Sequence, residues 1–356
     1  MTQLGIAPQL ERDGGGELAN AMPPAQEPTR ERWTLPPWPV LGARYGLFGV
    51  WGLMIVVFGA LRPSSFLTLS NFQGIFDSQS LLLFLALGLV ISLISGDFNL
   101  ALPGVFSSSM VLLGVLNGND GVPWGLAVIA ALAMSVFFGI VHAVLIVKLR
   151  LSSFIVTLGS GTALLGLAYA ISPVAISNIS PSFQHLATQT VFGFQLVFVY
   201  ALIMVFVLWY VYKYTPLGRQ LYFVGASKDV ARLAGLNVNR LRTASLIASG
   251  AMGGLAAVVG SAYLGSADPN LGSNFLLPMF ASTLLGSTVV TPGRPNAWGT
   301  AAAAYFLVTG YSGLELLGLS GWVEQVFYGC ALVLATLFAS LIARRIGGAD
   351  GLQVGA

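Results

Sequence analysis

Lys213 to Thr243 reads KYTPLGRQLYFVGASKDVARLAGLNVNRLRT, the only long charged interruption after residue 46 in an otherwise apolar chain. Six of the sixteen basic residues lie within it: Lys213, Arg219, Lys228, Arg232, Arg240 and Arg242. An apolar run of about twenty residues precedes it and another follows, the length a helix needs to cross roughly 30 Å of hydrocarbon. The stretch is therefore a loop between two membrane spans. Its cationic character places it on the cytoplasmic side, and the rest of the chain is oriented from there.

The loop carries local signals. Ser227 is placed to cap a short helix, Lys228 to Ala234, with Asp229 near its positive end. Gly235 stands where a left-handed C-terminal cap is wanted. Val230, Leu233 and Ala234 share one face at helical spacing, while Lys228, Asp229 and Arg232 lie elsewhere around the axis. Two turns do not hold their shape alone in water, so the helix needs a surface to sit against. Two readings stay open: a solvated charged loop, or a docking helix for a cytoplasmic partner.

Composition agrees. Hydrophobic residues make up 56% and charged residues 8%, about a third of the charge of a soluble chain, and mean hydropathy is +0.81. The fold class expected is all-α, a polytopic membrane protein of about ten transmembrane helices, some short or broken. The 43 glycines suit close helix packing in lipid. A single cysteine, Cys330, excludes an intramolecular disulfide framework. The net charge of +3 reflects loop cations facing anionic lipid, and nucleic-acid binding is not expected.

Residues 1–43 are rich in Pro, Gly and Glu and read as a disordered cytoplasmic tail, with Trp33 and Trp38 near the interface. Ten apolar segments follow, at 45–61, 80–96, 104–117, 124–147, 152–172, 190–212, 243–264, 275–291, 298–317 and 322–343. They form a transmembrane domain, 44–345, with the charged loop at 213–243 and a short C-terminal tail at 346–356. With both termini cytoplasmic, fifteen of the sixteen Lys and Arg fall inside and only Arg62 outside, so charge bias sets the topology. Five plus five segments permit an inverted repeat, but no residue pattern recurs convincingly.

Two joints break the simple count. Gly96-Asp97-Phe98-Asn99-Leu100-Ala101-Leu102-Pro103-Gly104 separates two short segments, and Val290 to Asn296 follows a short segment carrying Pro278. A carboxylate at membrane depth costs about 2.5–3.5 kcal/mol. Non-helical backbone is tolerated there only against protein or a water-filled cavity. The first joint reads either as a tight cytoplasmic turn or as the border of a substrate path.

Other chemistry is missing. None of the three lysines follows a glycine, so the chain holds no Walker-type phosphate loop. Asp77, Asp268, Glu315 and Glu324 fall near segment ends and read as solvated or capping groups rather than as an ion relay. His142 reads as a packed, hydrogen-bonded residue. His185 has no companions at ligand spacing, and neither a metal site nor a nucleophile–base pair is expected. A broken-helix bundle without an energy source implies one elsewhere. The alternative reading is a stand-alone ion-coupled secondary transporter, and a third is a scaffold with no cargo.

The residues also resemble a family. Thr215-Pro-Leu-Gly-Arg219, Tyr222 and Gly225-Ala-Ser-Lys-Asp-Val-Ala-Arg-Leu-Ala-Gly235-Leu are similar to the cytoplasmic coupling loop of permease subunits of ribose-type monosaccharide ATP-binding-cassette importers. Ser95 to Gly104, Ser153-Phe-Ile-Val-Thr-Leu-Gly159 and Gly272 to Thr300 match further family stretches in order, so the likeness runs from about 45 to 343. It implies a permease translocating a monosaccharide or related small polyol across the bacterial cytoplasmic membrane. It also implies a second permease subunit, two cytoplasmic ATP-binding cassettes that hold the ATP, and a periplasmic or lipoprotein sugar-binding protein. No cofactor is implied in this chain. Gly218, Arg219, Gly225, Asp229, Ala231, Arg232 and Gly235 become coupling-loop residues, and Asp97, Phe98, Asn99, Pro103, Asn274 and Phe275 candidates for the path. Asn99, Ala101 and Pro103 replace the family's Asp, Ser and Gly, Asp97 stands at a Gly position, Leu276 replaces a Glu, and Lys228 replaces a docking-loop Glu. Polar groups near the path are thus shifted, which fits a less polar cargo or the divergent half of a heterodimer.

Overall fold

Gly96, at φ +80°, reverses the chain just after an apolar helix ends at Ile94, and this turn organises the bundle. A computed structural model describes residues 37–191, 193–319 and 321–346. Most of the two expected tails lies outside the described residues. The helices are α1 Pro37–Leu61, α2 Pro63–Phe66, α3 Leu69–Ser78, α4 Ser80–Ile94, α5 Leu102–Gly114, α6 Trp124–Ala143, α7 Ser153–Ile171, α8 Pro181–Thr188, α9 Leu196–Tyr214, α10 Pro216–Ala226, α11 Lys228–Leu233, α12 Val238–Leu264, α13 Leu271–Gly286, α14 Ala297–Leu316 and α15 Trp322–Ile346. One hairpin, β1 Thr190–Val191 with β2 Phe194–Gln195, precedes α9. The chain is an all-α polytopic membrane protein.

Among the described residues, five helical runs are long and apolar enough to cross a membrane: 69–94, 124–148, 153–171, 196–214 and 238–264. Three differences from the sequence reading follow from tertiary context. The first span begins at Leu69, because α3 and α4 run on through Gln79 as one near-continuous rod. The segment expected at 190–212 gives its start to the hairpin. The segment expected at 275–291 starts earlier, at Leu271, and ends at Gly286.

The short helices are short because they begin inside the bundle. Arg242 of α12 meets Asp97, Ser245 meets Ser95, Ser249 meets Asn99, and the Gly253 backbone approaches Leu102 and Val105. Asp97–Ala101, non-helical and ending in a turn at Leu100–Ala101, therefore lie beside α12 and delay the start of α5. A further break, ahead of α13 and not marked in the sequence reading, behaves likewise. Ala267 pairs with Ile176 beside Gly114, at the far end of α5, while Gly272 lies against the Pro103 carbonyl at its start. Residues 265–271 thus descend the length of α5 before α13 begins.

α4 runs toward the charged loop and α12 away from it; α5 runs away and α13 returns. Each break opens on a left-handed glycine, Gly96 or Gly265, and carries the pattern Asp-x-Asn-Leu, at Asp97–Leu100 and Asp268–Leu271. The pair α4–α5 and the pair α12–α13 thus run in opposite senses, each interrupted by a non-helical stretch. The sequence reading did not pick out this short pattern.

The core sits between α4, α5, α12 and α13, where α4 is almost wholly buried. Small residues allow the approach: a Cβ on Gly104 would strike Gly161 of α7, and one on Gly250 would strike Gly139 of α6.

Candidate functional site: the charged loop and two broken joints

Thr215 starts the loop's first helix. Its Oγ1 accepts the Gly218 N–H at 3.3 Å and donates to the Val211 carbonyl at 2.6 Å. Pro216 follows at the first helical position, where its missing N–H costs nothing. Gly218 is buried where a Cβ would overlap the Tyr212 backbone, so α10 folds tightly back on α9. Arg219 is exposed.

Gly225 fixes the loop to the bundle. A Cβ there would fall on the Ile94 carbonyl at the end of α4, an oxygen left free by the helix terminus. Ser227 then caps α11, its Oγ accepting the Val230 N–H at 3.4 Å. Gly235 (φ +79°) closes it in a Schellman motif, with Gly235 N–H on the Arg232 carbonyl and Leu236 N–H on Ala231, each at 3.0 Å. The helix has six residues and is held by Ala231, fully buried against Val224 and Val238.

The Val230 and Leu233 face points outward, Leu233 at 89% exposure, with Asp229 and Arg232 bridged beside it at 2.9 Å. α11 is thus anchored through Ala231 and offers its larger apolar side chains to whatever covers it. Behind it an open depression of about 350 Å³ is lined by Arg232, Gly235, Leu236, Asn237, Val238 and Asn239.

Asp97 is buried at the foot of this loop. Arg242 grips it through two hydrogen bonds, Nε to Oδ2 at 2.8 Å and Nη2 to Oδ1 at 2.6 Å. Lys228 Nζ stands 3.6 Å from Oδ1 and 3.5 Å from the Gly96 carbonyl. This carboxylate is engaged by the loop's own cations and is not a free group on a path. Sequence reasoning missed both partners, although a buried carboxylate is costly without one. Asn99 is likewise committed: Nδ2 donates to Ser249 Oγ at 2.9 Å, and Oδ1 accepts the Ala101 N–H at 3.3 Å.

The other path candidates lie together along the start of α5 and α13. Phe98 stacks on Phe280 at 6.1 Å, Pro103 abuts Gly272, and Phe275 meets Phe106 edge-on at 5.8 Å. Ser107 Oγ accepts the Gly272 N–H at 2.9 Å, tying the two broken helices. Asn274 is exposed.

The loop also touches the second joint. The Tyr222 hydroxyl donates to the Pro295 carbonyl at 2.7 Å, and Arg294 lies over its ring at 5.7 Å. Burial pushes this hydroxyl above its ordinary range, with Arg294 opposing, so it stays protonated and able to donate. Asn296 organises the turn: Nδ2 faces the carbonyls of Gly286, Val289 and Arg294 at 3.0–3.1 Å, and Oδ1 accepts the Gly299 N–H at 2.6 Å. Val290, β-branched at φ +63°, is held in a conformation such residues avoid.

His142 bonds Ser160 at 2.8 Å between α6 and α7 and has no carboxylate partner among the described residues. Among the described residues no group of three His, Cys, Asp or Glu could hold a metal.

A multi-pass bundle with half-length helices at its centre and a rigid charged handle at one end defines a membrane permease. Residues 72–336 match the family described as branched-chain amino acid transport system / permease component, and the chain belongs to that family. It is similar to the D-allose transport system permease protein AlsC of Escherichia coli K12, 27% identical over 85% of this chain and 93% of the relative. It is also similar to the autoinducer 2 import system permease protein LsrD of Enterobacter sp. (strain 638), 31% identical over 82% and 91%. The same protein of Photorhabdus laumondii is 29% identical over 85% and 93%. No solved structure matches the chain. The protein is the transmembrane permease subunit of an ATP-binding-cassette importer in the bacterial inner membrane, and the stand-alone carrier reading falls away. Permeases of this kind work with separate ATPase and substrate-binding partners.

Proposed function

We propose that this subunit translocates a monosaccharide or related small polyol, that it pairs with a second permease subunit, and that α11 is the handle gripped by a cytoplasmic ATP-binding cassette. Both termini then face the cytoplasm, with a sugar-binding protein delivering solute on the opposite side. The observation that carries the reading is the anchored helix itself. α11 is capped at both ends, fixed through Ala231, and shows Leu233 to solvent beside Asp229 and Arg232. The relatives named for D-allose and autoinducer 2 support a small hydroxylated cargo over the amino acid in the family's description.

Asp97, Phe98, Asn99, Pro103, Asn274 and Phe275 then border the path in a different sense from simple lining. Asp97 and Asn99 hold the first joint to α12, while Phe98, Pro103 and Phe275 lie where α5 meets α13. The test is co-purification with the ATPase subunit together with D-allose uptake into vesicles. Gly235→Pro and Leu233→Asp are expected to abolish both while leaving the membrane level of the chain intact. Retained complex formation in both variants, or leucine uptake in place of D-allose, overturns the reading.

A further inference from the structure

Asp77 lies far from the charged loop, seventeen residues before Ile94 on the 69–94 run, so about 25 Å away along it. The sequence places it at a segment end as a solvated group, yet it is only 5% exposed. Its Oδ1 accepts one hydrogen bond, from the Gln195 N–H at 3.1 Å, and it pairs with no cation among the described residues. A buried carboxylate so poorly compensated is costly, and such groups mark function in membrane proteins.

Two more polar groups there are under-filled. Gln195 Oε1 is buried and reaches no hydrogen-bond partner among the described residues; the Tyr305 hydroxyl, on a residue only 7% exposed, has the Ser80 hydroxyl beside it. Tyr305 sits within electrostatic reach of Asp77, and its ring lies 4.8 Å from that of the adjacent Phe76. Phe198 lies 5.4 Å and Phe194 5.9 Å from Phe76, completing an aromatic wall. The hairpin β1–β2 covers this cluster and supplies Gln195. Two strands of two residues are marginal as structure, so the cover is the weakest part of the enclosure.

We propose that Asp77, Tyr305 and Gln195, walled by Phe76, Phe194 and Phe198, form a docking site for a neutral hydroxyl-rich solute at the end of the bundle opposite α11. The carboxylate accepts from adjacent solute hydroxyls, the phenol donates or accepts, the Gln195 amide oxygen accepts another hydroxyl, and the rings face the C–H surface of the solute. The site opens by displacement of the hairpin, with a solute hydroxyl taking the place of the Gln195 N–H at Asp77. This rests on the polyol reading above and adds where that solute first meets the chain.

The test is equilibrium binding of radiolabelled D-allose and D-ribose to the full chain with its ATPase in lipid nanodiscs, alongside D-allose uptake by wild-type vesicles. Tyr305→Phe removes a hydroxyl whose neighbour Ser80 keeps its own bond to the Phe76 carbonyl, so its thermal midpoint is expected to stay close to the wild type while Kd rises about three- to ten-fold. Asp77→Asn keeps the acceptor for Gln195 and is expected to raise Kd more than about ten-fold. Wild-type affinity in both variants, or no binding by a wild type that does import D-allose, overturns the site alone. A wild type that neither binds nor imports either sugar removes the polyol reading, and the site with it.

Discussion

Asp97→Asn tests how firmly the charged loop holds the first broken joint. Arg242 contacts both carboxylate oxygens at 2.6 and 2.8 Å, with side-chain exposures of 12% for the arginine and 2% for the aspartate. Removing the negative charge strands a desolvated guanidinium, which costs about 3–5 kcal/mol in comparable buried pairs. Lys228 differs: it stands 3.6 Å away with 37% of its side chain exposed, where solvent screening leaves about 0–1 kcal/mol. A double-mutant cycle with Asp97→Asn, Arg242→Gln and Lys228→Met separates the two. The coupling of Asp97 to Arg242 is expected to exceed about 1.5 kcal/mol and that to Lys228 to stay below about 1 kcal/mol. At roughly 2–4 °C per kcal/mol for a large domain, Asp97→Asn lowers the midpoint by about 6–20 °C, read as the fraction still monodisperse after heating in detergent. A midpoint within about 2 °C of wild type, or equal losses in the Lys228 and Arg242 variants, refutes the argument.

Gly225→Ala puts a methyl group on the Ile94 carbonyl and is expected to cost about 1–3 kcal/mol, with ATPase activity no longer responding to solute; unchanged stability counts against the wedge. Gly235→Ala, at φ +79°, should destabilise the α11 cap by about 1 kcal/mol and weaken ATPase-subunit binding several-fold in a pull-down titration. Asn296→Ala removes the groups holding the second turn; a loss of about 2–4 kcal/mol in midpoint measurements is expected. Val290→Gly relieves a left-handed β-branched residue and should raise stability by about 1 kcal/mol, a gain that thermal unfolding detects.

The charged loop was legible because its signals are local. A capping serine and a terminal glycine act within a few residues of themselves. Long-range partners were not. Arg242 lies 145 residues from Asp97 in sequence, and Gln195 lies 118 from Asp77. No periodicity connects such pairs, and a carboxylate near an apolar segment's end reads as solvated until a hairpin is seen to cover it. The direction of α11 was hidden for a related reason. Ala231 is the smallest apolar residue of the helix and the one buried, because only a small side chain fits between Val224 and Val238, and the larger ones turn out.

The charged loop is bonded to both joints. Gly225 sits against the end of α4, Arg242 and Lys228 hold Asp97, and Tyr222 holds Pro295. Sliding the loop past these points breaks a buried bidentate ion pair of several kcal/mol and strands a buried phenol. Moving loop and joints together breaks neither. The motion that breaks fewer contacts therefore carries the start of α5 and the end of α13 with the loop, and these helices meet at Pro103 against Gly272, with Ser107 bridging and Phe106 edge-on to Phe275. A hydrogen bond and a ring contact hold that seam less firmly than the ion pair holds the first joint, so on the proposed coupling reading the seam is expected to part before the loop detaches.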